Sequence, residues 1–262
     1  MEYNKASQSA KEKKLRRKEV LEKKKAIDEI IRKATSVTDH LVSFLPFCQY
    51  QRNGLSVYLE SGNGDHLSPP TKKYIQNLLK VNMERYYGHE WPTEEKVKRR
   101  EMGVPEARYI FVRQSNTNAT NDQIKRPEDG LDDAGIEQLV GFVHYRFVVE
   151  EDVPVAYVYE LQLESCAKGK GLGKFLMQLV ELIARKNKMG AVVLTVQKAN
   201  EFAMNFYTNK LRYVISSISP SRVDPLIGAE KSYEILCKTF DPEAKGKLEV
   251  NNSPNLSNAQ KI

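Results

Sequence analysis

The stretch YVYELQLESCAKGKGLGKFL, Tyr157 to Leu176, decides the fold. Its first half alternates aromatic, apolar and polar residues as a β-strand does. Its second half is a short basic turn rich in glycine, and an apolar helical pattern begins directly after it. Backbone N–H groups in such a turn can surround an anion, and the N-terminus of the next helix adds positive potential. The stretch therefore predicts a strand, a diphosphate-binding loop and a helix in direct succession.

The glycine turn differs from two familiar nucleotide-binding loops. The pattern G-x-x-x-x-G-K-[ST] requires one more residue than Gly169 to Gly173 provides, and Phe175 stands where its hydroxyl belongs. The dinucleotide pattern G-x-G-x-x-G fails because no third glycine follows Gly171 and Gly173 at the required spacing. From the loop alone, a plain glycine-rich turn before a helix remains an alternative.

Composition indicates one sizeable core with a basic appendage. The chain has 262 residues, of which 40% are hydrophobic, and a net charge of +7. Residues 5–25 hold ten lysines and arginines against three glutamates, so the rest of the chain is close to neutral. The basic arm suggests a nuclear-import signal or a contact with nucleic acid or the ribosome, and a solvated helix face is an equal alternative.

Cysteine and histidine usage argues against disulfide bonds and metal binding. The three cysteines are odd in number and widely spaced, which predicts a reducing compartment without a disulfide framework. The four histidines are isolated, so we expect no metal. No apolar stretch reaches the roughly 20 residues that a membrane helix needs, so we expect no membrane partner.

Hydrophobic periodicity predicts a basic helix at 11–35. A strand, two helices, three strands, a helix, a strand, a helix and two strands follow it in order. We therefore expect a basic helical extension at 1–50 and an α/β domain at 51–239 with a mobile loop at 114–135. Residues 240–262 are polar and are predicted to be disordered.

The glycine turn resembles the acetyl-CoA loop of the GNAT acetyltransferases, [QR]-x-x-G-x-[GA], with Lys168 replacing the usual Gln or Arg. The segment LTVQKANEFAMNFY (194–207) resembles the second half of that family. The resemblance implies an α/β (α+β) GNAT fold, a mixed, mostly antiparallel central sheet flanked by helices, with acetyl-CoA as the donor. The residues implied to hold the donor are Leu161, Gln162, Leu163, Lys168, Gly169, Lys170, Gly171, Leu172, Gly173, Lys174 and Asn200.

The resemblance also implies the catalytic groups. Glu160 is expected to be the general base, with Tyr159 beside it and Tyr207 as a candidate acid for the departing thiolate. Each residue has a structural alternative: an ion-pair partner for Glu160, a packed aromatic for Tyr207 and a helix cap for Asn200. Strict strand alternation separates Glu160 from Tyr157 and Tyr159. The resemblance implies a β-bulge near Glu160, as in the fourth strand of this family, which would bring them into one site.

Six blocks in order resemble one branch of this family, the histone-directed N-terminal α-acetyltransferases (NatD). They are YQRNGLSVYLE (50–60), YYGHEWP (86–92), HYRFVVE (144–150), YVYELQLES (157–165), KGLGKFLMQ (170–178) and KSYEIL (231–236). The resemblance implies a monomer of nucleus and cytoplasm that acetylates histone tails beginning Ser-Gly-Arg-Gly, those of histones of type four and type 2A. The residues implied to bind the tail are Tyr86, Trp91, Glu150, Tyr157, Tyr159 and Tyr233.

One departure from that branch concerns the arginine of the tail. Its members carry an acid at two positions near the end of the third strand; Glu150 fits the second, but Val148 occupies the first. Glu151 and Asp152 are candidate substitutes. Two other functions remain open at this point: an ε-lysine acetyltransferase on the same fold, and a weakly catalytic adaptor that binds chromatin.

Overall fold

The computed structural model describes residues 2–114 and 138–249, with side chains from Lys13 onward in the first helix. Its strands are β1 Gln49–Arg52, β2 Leu55–Asn63, β3 Arg108–Gln114, β4 Leu139–Glu150, β5 Val153–Leu163, β6 Ala191–Gln197, β7 Val214–Ile215 and β8 Tyr233–Thr239. Its helices are α1 Glu2–Ser36, α2 Pro69–Tyr87, α3 Trp91–Glu101, α4 Leu172–Lys186, α5 Glu201–Asn205, α6 Pro220–Val223, α7 Pro225–Glu230 and α8 Pro242–Leu248.

The strands form one sheet in the order β1-β2-β3-β4-β5-β6-β8-β7. Neighbouring strands are antiparallel except β5 and β6, which are parallel. Helix α4 connects the last two through a crossover, as a parallel pair requires. The predicted mixed, mostly antiparallel sheet with flanking helices is confirmed.

Two apolar layers cover the faces of this sheet. Helix α4 buries Leu172, Leu176 and Ile183 in the larger core, against Val143 of β4. On the opposite face, α2 and α3 enclose a second core that includes Phe142 of β4. Because side chains alternate along a strand, β4 supplies both layers and fixes α3 on the face opposite α4.

Helix α1 is attached to the domain by its C-terminal part. Ile27 and Ala34 are buried, and the buried guanidinium of Arg108 donates to the carbonyl oxygen of Thr35 in the last turn. That cation at the C-terminus satisfies an otherwise unpaired carbonyl. Residues 13–26 are all exposed, so the basic arm is a helix whose described N-terminal part faces solvent.

The structure corrects the prediction for the C-terminal segment. Residues 240–262 were expected to be disordered, but Pro242–Leu248 form α8. Asp241 caps this helix by accepting from the Ala244 N–H at 2.9 Å, and Ala244 and Leu248 are buried in a third apolar cluster. A cap and two apolar residues four positions apart suffice here, although the composition is polar. Strand β1 and helices α6 and α7 are further elements absent from the predicted order. Apart from Gln114, which ends β3, the mobile loop predicted at 114–135 lies outside the described residues.

Three absences hold for the part of the chain that the structure describes. Its helices include none that is both long and apolar enough to cross a membrane. Nowhere in it do three or more His, Cys, Asp or Glu side chains gather as a metal site would require. Cys48, Cys166 and Cys237 are free.

Buried His40 makes stability depend on pH. Its side chain is 5% exposed, and Asn187 lies 3.2 Å from its Nδ1. Burial, and then the nearby charge of Arg108, lowers the pKa of His40 to about 4 from its ordinary 6.5. The free energy of unfolding is at its full value above pH 6.5 and decreases as the pH falls toward 4. In that range only the unfolded chain takes up a proton at His40.

We expect about 3 kcal/mol of unfolding free energy to be lost across this window through His40. Buried His144, whose pKa is also lowered by burial, should add to the loss. Urea unfolding of His40→Gln between pH 7 and 4.5 should show a shallower pH dependence than the parent chain. His66→Gln, at an exposed histidine, is the control. Equal slopes for the parent and His40→Gln would contradict this assignment.

Candidate active site

A β-bulge in β5 places the predicted acid and both tyrosines on one face of the sheet. The pairing with β4 shifts between His144 and Tyr145, so His144 pairs with Glu160 but Tyr145 pairs with Val158. The extra residue, Tyr159, resets the alternation. Tyr157 and Tyr159 pack together at 5.2 Å between ring centroids, and Glu160 and Gln162 follow on the same face. The predicted bulge is confirmed.

The same strand separates from β6 directly after the bulge. Pairing of β5 with β6 ends at Val158 and Leu194, yet β5 continues to Leu163 and β6 to Gln197. From Tyr159 onward the β5 backbone groups facing β6 therefore have no strand partner there. A slot forms whose edge offers free N–H and C=O groups to an extended amide-bearing molecule.

A cavity of about 740 Å³ opens over this slot. Its walls come from α2 and α3, from β4, β5 and β6, from α5, and from the segment leading into β8. Six glutamates line it, against two lysines, Lys98 and Lys231: Glu90, Glu94, Glu101, Glu150, Glu160 and Glu230. The excess of acidic groups favours a cationic ligand in this cavity.

Glu160 lies on the cavity floor and is paired with a lysine. It is 8% exposed; Lys98 Nζ donates to its Oε1, and Gln162 Nε2 donates to its Oε2 at 2.8 Å. Burial alone would lower the pKa of Lys98, but the Glu160 carboxylate and Tyr87 outweigh it and raise that pKa. Glu160 therefore has the ion-pair partner that its structural alternative expects, and it still faces the cavity.

Aromatic rings pack behind and beside the tyrosines. His144 stacks between Tyr109 and Tyr159, with centroid distances of 4.8 and 4.9 Å. The Arg146 guanidinium lies 4.3 Å from the Tyr159 ring centroid, and Tyr157 Oη is 2.6 Å from Thr195 Oγ1. These contacts fix both tyrosine rings as cavity walls.

Tyr207 lies in the slot on the side of α5, within a single π-helical turn, Phe206–Lys210. Burial, and then the negative charge of Glu160, raises the pKa of Tyr207. Its hydroxyl therefore retains its proton at neutral pH, as a proton donor must. Asn200 also lines the cavity, and its Oδ1 accepts from the Ala203 N–H at 3.1 Å, so it does cap its helix as the structural alternative expects.

The glycine loop has the geometry of an anion site. Gly171 has φ +88° and caps α4, whose first N–H groups have no helical partner. Tyr50 Oη and Asn53 Nδ2 donate to the Lys170 carbonyl at 2.6 and 3.1 Å. Since a trans peptide opposes C=O and N–H, these bonds turn the Gly171 N–H away from β1. A methyl at Gly171 would lie 2.8 Å from Tyr50 Oη, so only glycine fits.

The lysines of this loop point in different directions. Lys168 Nζ donates to Asn82 Oδ1 at 2.7 Å and so contacts α2. Lys170 and Lys174 line a separate shallow cavity beside β1. The positive charge is thus distributed around the loop and is not collected on one side of it.

Four of the predicted tail-binding residues lie where expected and two do not. Glu150, Tyr157 and Tyr233 line the cavity, as does Tyr159, and Val148 faces it where the first acid was expected. Tyr86 does not line the cavity; its ring stacks on Arg85, and the next residue, Tyr87, faces inward. Trp91 is 3% exposed in the second core, so its ring supports α3. Because a helix turns about 100° per residue, Tyr87 faces the cavity and Tyr86, the predicted residue, does not.

Helix α3 supplies functional candidates that were not predicted. Glu94, Lys98 and Glu101 face the cavity at spacings of four and three residues. Seven residues separate Lys98 from buried Trp91, so the two share a helix face. Glu151 and Asp152, the suggested substitutes for an acid at Val148, do not line the cavity; they form the β4–β5 turn with φ of 47° and 55°.

Comparison with known proteins finds one family whose model spans most of this site. The model of the acetyltransferase (GNAT) family matches residues 83–212. Mycothiol acetyltransferase of Nocardia farcinica (strain IFM 10152) is 29% identical over 110 residues, which cover 38% of this chain and 34% of that protein. The chain therefore spans about a third of the length of this relative.

Solved structures of similar proteins include a GNAT acetyltransferase from Listeria monocytogenes 4b F2365, with TM-score 0.45, 11% identity and coverage of 73% of this chain and 99% of that chain. Another is Arabidopsis thaliana NAA60 with a bisubstrate analogue, with TM-score 0.46, 12% identity and coverage of 70% and 99%.

Proposed function

Residues 83–212 form a domain of the acetyltransferase (GNAT) family, whose members use acetyl-CoA, and from this premise we propose an N-terminal α-amino acetyltransferase. The proposed acceptor is the N-terminal serine of histone tails that begin Ser-Gly-Arg-Gly. The resemblance of the six sequence blocks, from Tyr50 to Leu236, supports this choice.

One observation carries the proposal: the bulge that brings Glu160 to the floor of an acidic, tyrosine-walled cavity where β5 and β6 separate. A thioester lying in the slot would meet an amine arriving through the cavity. Holding both reactants in one geometry can supply much of the rate enhancement. The glutamates of the cavity suit a polypeptide that carries several positive charges.

The proposed reaction is direct transfer. A free α-amine has a pKa of about 7.7–8.0, so part of it is neutral near physiological pH. Its nitrogen attacks the thioester carbonyl, and Glu160 accepts the amine proton directly or through one water. The unpaired N–H groups of β5 stabilise the oxyanion, and Tyr207 donates its proton to the departing thiolate. Acetyl-CoA thus supplies the activated acyl group, and the chain supplies position and proton transfer.

Tail recognition is assigned to the cavity wall near the end of β4. Glu150 is half-buried, and burial, together with the charge of Glu151, raises its pKa. A basic residue of the tail would neutralise it in a charge-assisted hydrogen bond worth about 1.5–3 kcal/mol. Glu94 and Glu101 of α3 lie in the same cavity and offer further acidic partners.

The test is a peptide assay with mass-spectrometric localisation of the acetyl group. The parent Ser-Gly-Arg-Gly tail with its lysines is compared with an N-terminally blocked copy and with a copy bearing alanine at position three. We expect transfer to the α-amine only, no product from the blocked peptide, and a raised KM for the alanine peptide. An acetylated lysine beside a free α-amine would replace this function by ε-lysine acetylation. No turnover, together with salt-dependent binding to nucleosomes, would favour the adaptor.

Introducing an acid at Val148 tests whether the cavity wall near the end of β4 binds the arginine of the tail. Val148→Asp should lower the KM for Ser-Gly-Arg-Gly peptides by about tenfold, the value of one added charged hydrogen bond. The peptide with alanine at position three should show no such gain. Val149→Asp is the matched control, because Val149 is 42% exposed and neighbouring strand residues face opposite sides. An unchanged KM would show that Glu150 and α3 already satisfy the arginine.

The proposal extends to the partners of the basic part of α1 and to the place where the enzyme acts. The lysines and arginines of residues 13–25 are exposed and form a surface suited to a polyanion such as nucleic acid or the ribosome. Histone tails would be met in the cytoplasm during synthesis and in the nucleus afterwards, and the enzyme is proposed to act there as a monomer without a membrane partner.

A further inference from the structure

A chain of side-chain hydrogen bonds joins the glycine loop to the carboxylate on the cavity floor. Lys168 Nζ donates to Asn82 Oδ1 at 2.7 Å, and Asn82 Nδ2 donates to Gln162 Oε1 at 3.0 Å. Gln162 Nε2 then donates to Glu160 Oε2 at 2.8 Å. Lys98 donates to the other oxygen of Glu160. Asn82 belongs to α2 and is the member that links the loop to β5.

The polarity of this chain is determined by the charged groups at its two ends, the ammonium of Lys168 and the carboxylate of Glu160, which can only accept. An ammonium group can only donate, so Lys168 requires the oxygen of the Asn82 amide and directs the Asn82 NH₂ toward Gln162. Gln162 must then offer its oxygen to Asn82, which leaves its own NH₂ for Glu160. The reversed order would place the Gln162 oxygen against the carboxylate. Asn82 also donates to the Leu163 carbonyl at 3.2 Å and so fixes the end of β5.

We propose that Asn82 is a positioning residue that, through Gln162, holds Glu160 in the orientation needed for acetyl transfer and links it to Lys168 of the donor loop. The inference rests on the proposed transferase activity. Lys168 has three N–H donors and uses one on Asn82, so two remain for a bound diphosphate. An occupied loop therefore keeps the cation beside Asn82 and stabilises the ordered chain.

Asn82→Asp is the most informative substitution. Aspartate has the same shape and still accepts from Lys168, but it has no N–H for Gln162. The Gln162 NH₂ then lies between two carboxylates that both require it, so its bond to Glu160 is weakened. We expect kcat to fall by about 10–100-fold, the loss of one hydrogen bond to a charged group. The acid limb of the kcat–pH profile should move to higher pH, whereas the KM for acetyl-CoA should change less than about threefold.

A double-substitution cycle separates positioning from general damage. Gln162→Met removes the link, so Asn82→Asp should lower kcat no further in that background. Val81→Asp adds the same charge on the neighbouring residue of α2, which is 78% exposed, and should leave kcat and its pH profile unchanged. Additive losses in the cycle, or a parent-like pH profile for Asn82→Asp, would overturn the assignment.

One readout does not depend on turnover. The side-chain amide resonances of Gln162 should move in Lys168→Met, although Lys168 does not bond to Gln162, because Asn82 loses the partner that orders its amide. Addition of coenzyme A to the parent should also perturb them through Lys168. Unchanged Gln162 resonances in Lys168→Met would refute the chain. A parent protein that acetylates no amine would refute the proposed function. The Gln162 resonances would still test whether the hydrogen-bond chain from Lys168 to Glu160 exists.

Discussion

Replacing Glu160 by glutamine should lower kcat by about 10²–10⁴-fold, the usual contribution of a positioned general base. The amide is nearly isosteric and still accepts from Lys98 through its oxygen, but it cannot take the amine proton. Acetyl-CoA affinity should change little, since the glycine loop and the open edge of β5 are untouched. Steady-state kinetics with a Ser-Gly-Arg-Gly peptide, together with titration of acetyl-CoA, measures both quantities.

The loss of kcat should be specific to Glu160 on the floor of the cavity. Glu150→Gln removes the same charge from the wall and should raise the KM for the peptide while keeping kcat within about threefold, as for a lost ground-state contact. The Glu160→Gln profile should also lose its acid limb, because no carboxylate remains to be protonated. Near-normal turnover by Glu160→Gln would remove Glu160 from the role of base and leave position alone as the source of catalysis.

The strand pattern around Glu160 could not by itself predict the bulge. Strict alternation separates the acid from Tyr157 and Tyr159, and only the resemblance to the family implied an extra residue in the strand. The structure has that residue at Tyr159. The loop and helix from Lys168 onward were predicted from the glycine-rich basic turn followed by an apolar helical pattern, and the structure adds the positive φ of Gly169 and Gly171.

The partner of Glu160 was harder to predict. Lys98 belongs to the run KVKRRE, which has the composition of a solvated helix face, and 62 residues separate it from Glu160. Only the phase of α3 shows which of its basic residues turns inward. Trp91 marks the buried face, and Lys98 follows it by two turns. The same phase would have excluded Trp91 from the cavity wall.

Helix α8 was missed because composition is a weak guide over short segments. Its sequence is mostly polar, and only Ala244 and Leu248 enter the core. Their burial depends on Val153 and Val155, which the strand register brings beneath them. Local sequence cannot specify such contacts, since they form only after the sheet has been assembled.

Replacing Lys98 by methionine should destabilise the fold by about 3–5 kcal/mol, the cost of leaving a buried charge without its partner. Methionine fills a similar volume, so the loss should report the charge on Glu160 more than packing. Urea unfolding at pH 7 measures the change. Lys96→Met is the control on the same helix, where the side chain is exposed, and its effect should stay within about 0.5 kcal/mol.

The double variant Lys98→Met/Glu160→Gln should recover most of that loss, because neither partner then carries a buried charge. Recovery would show that the cost of Lys98→Met comes from the unpaired carboxylate of Glu160 and not from lost packing, since a neutral pair would serve stability as well. The catalytic loss of Glu160→Gln should persist in the double variant. A loss below about 1 kcal/mol for Lys98→Met alone would mean that water reaches Glu160 and takes the place of Lys98 as its partner.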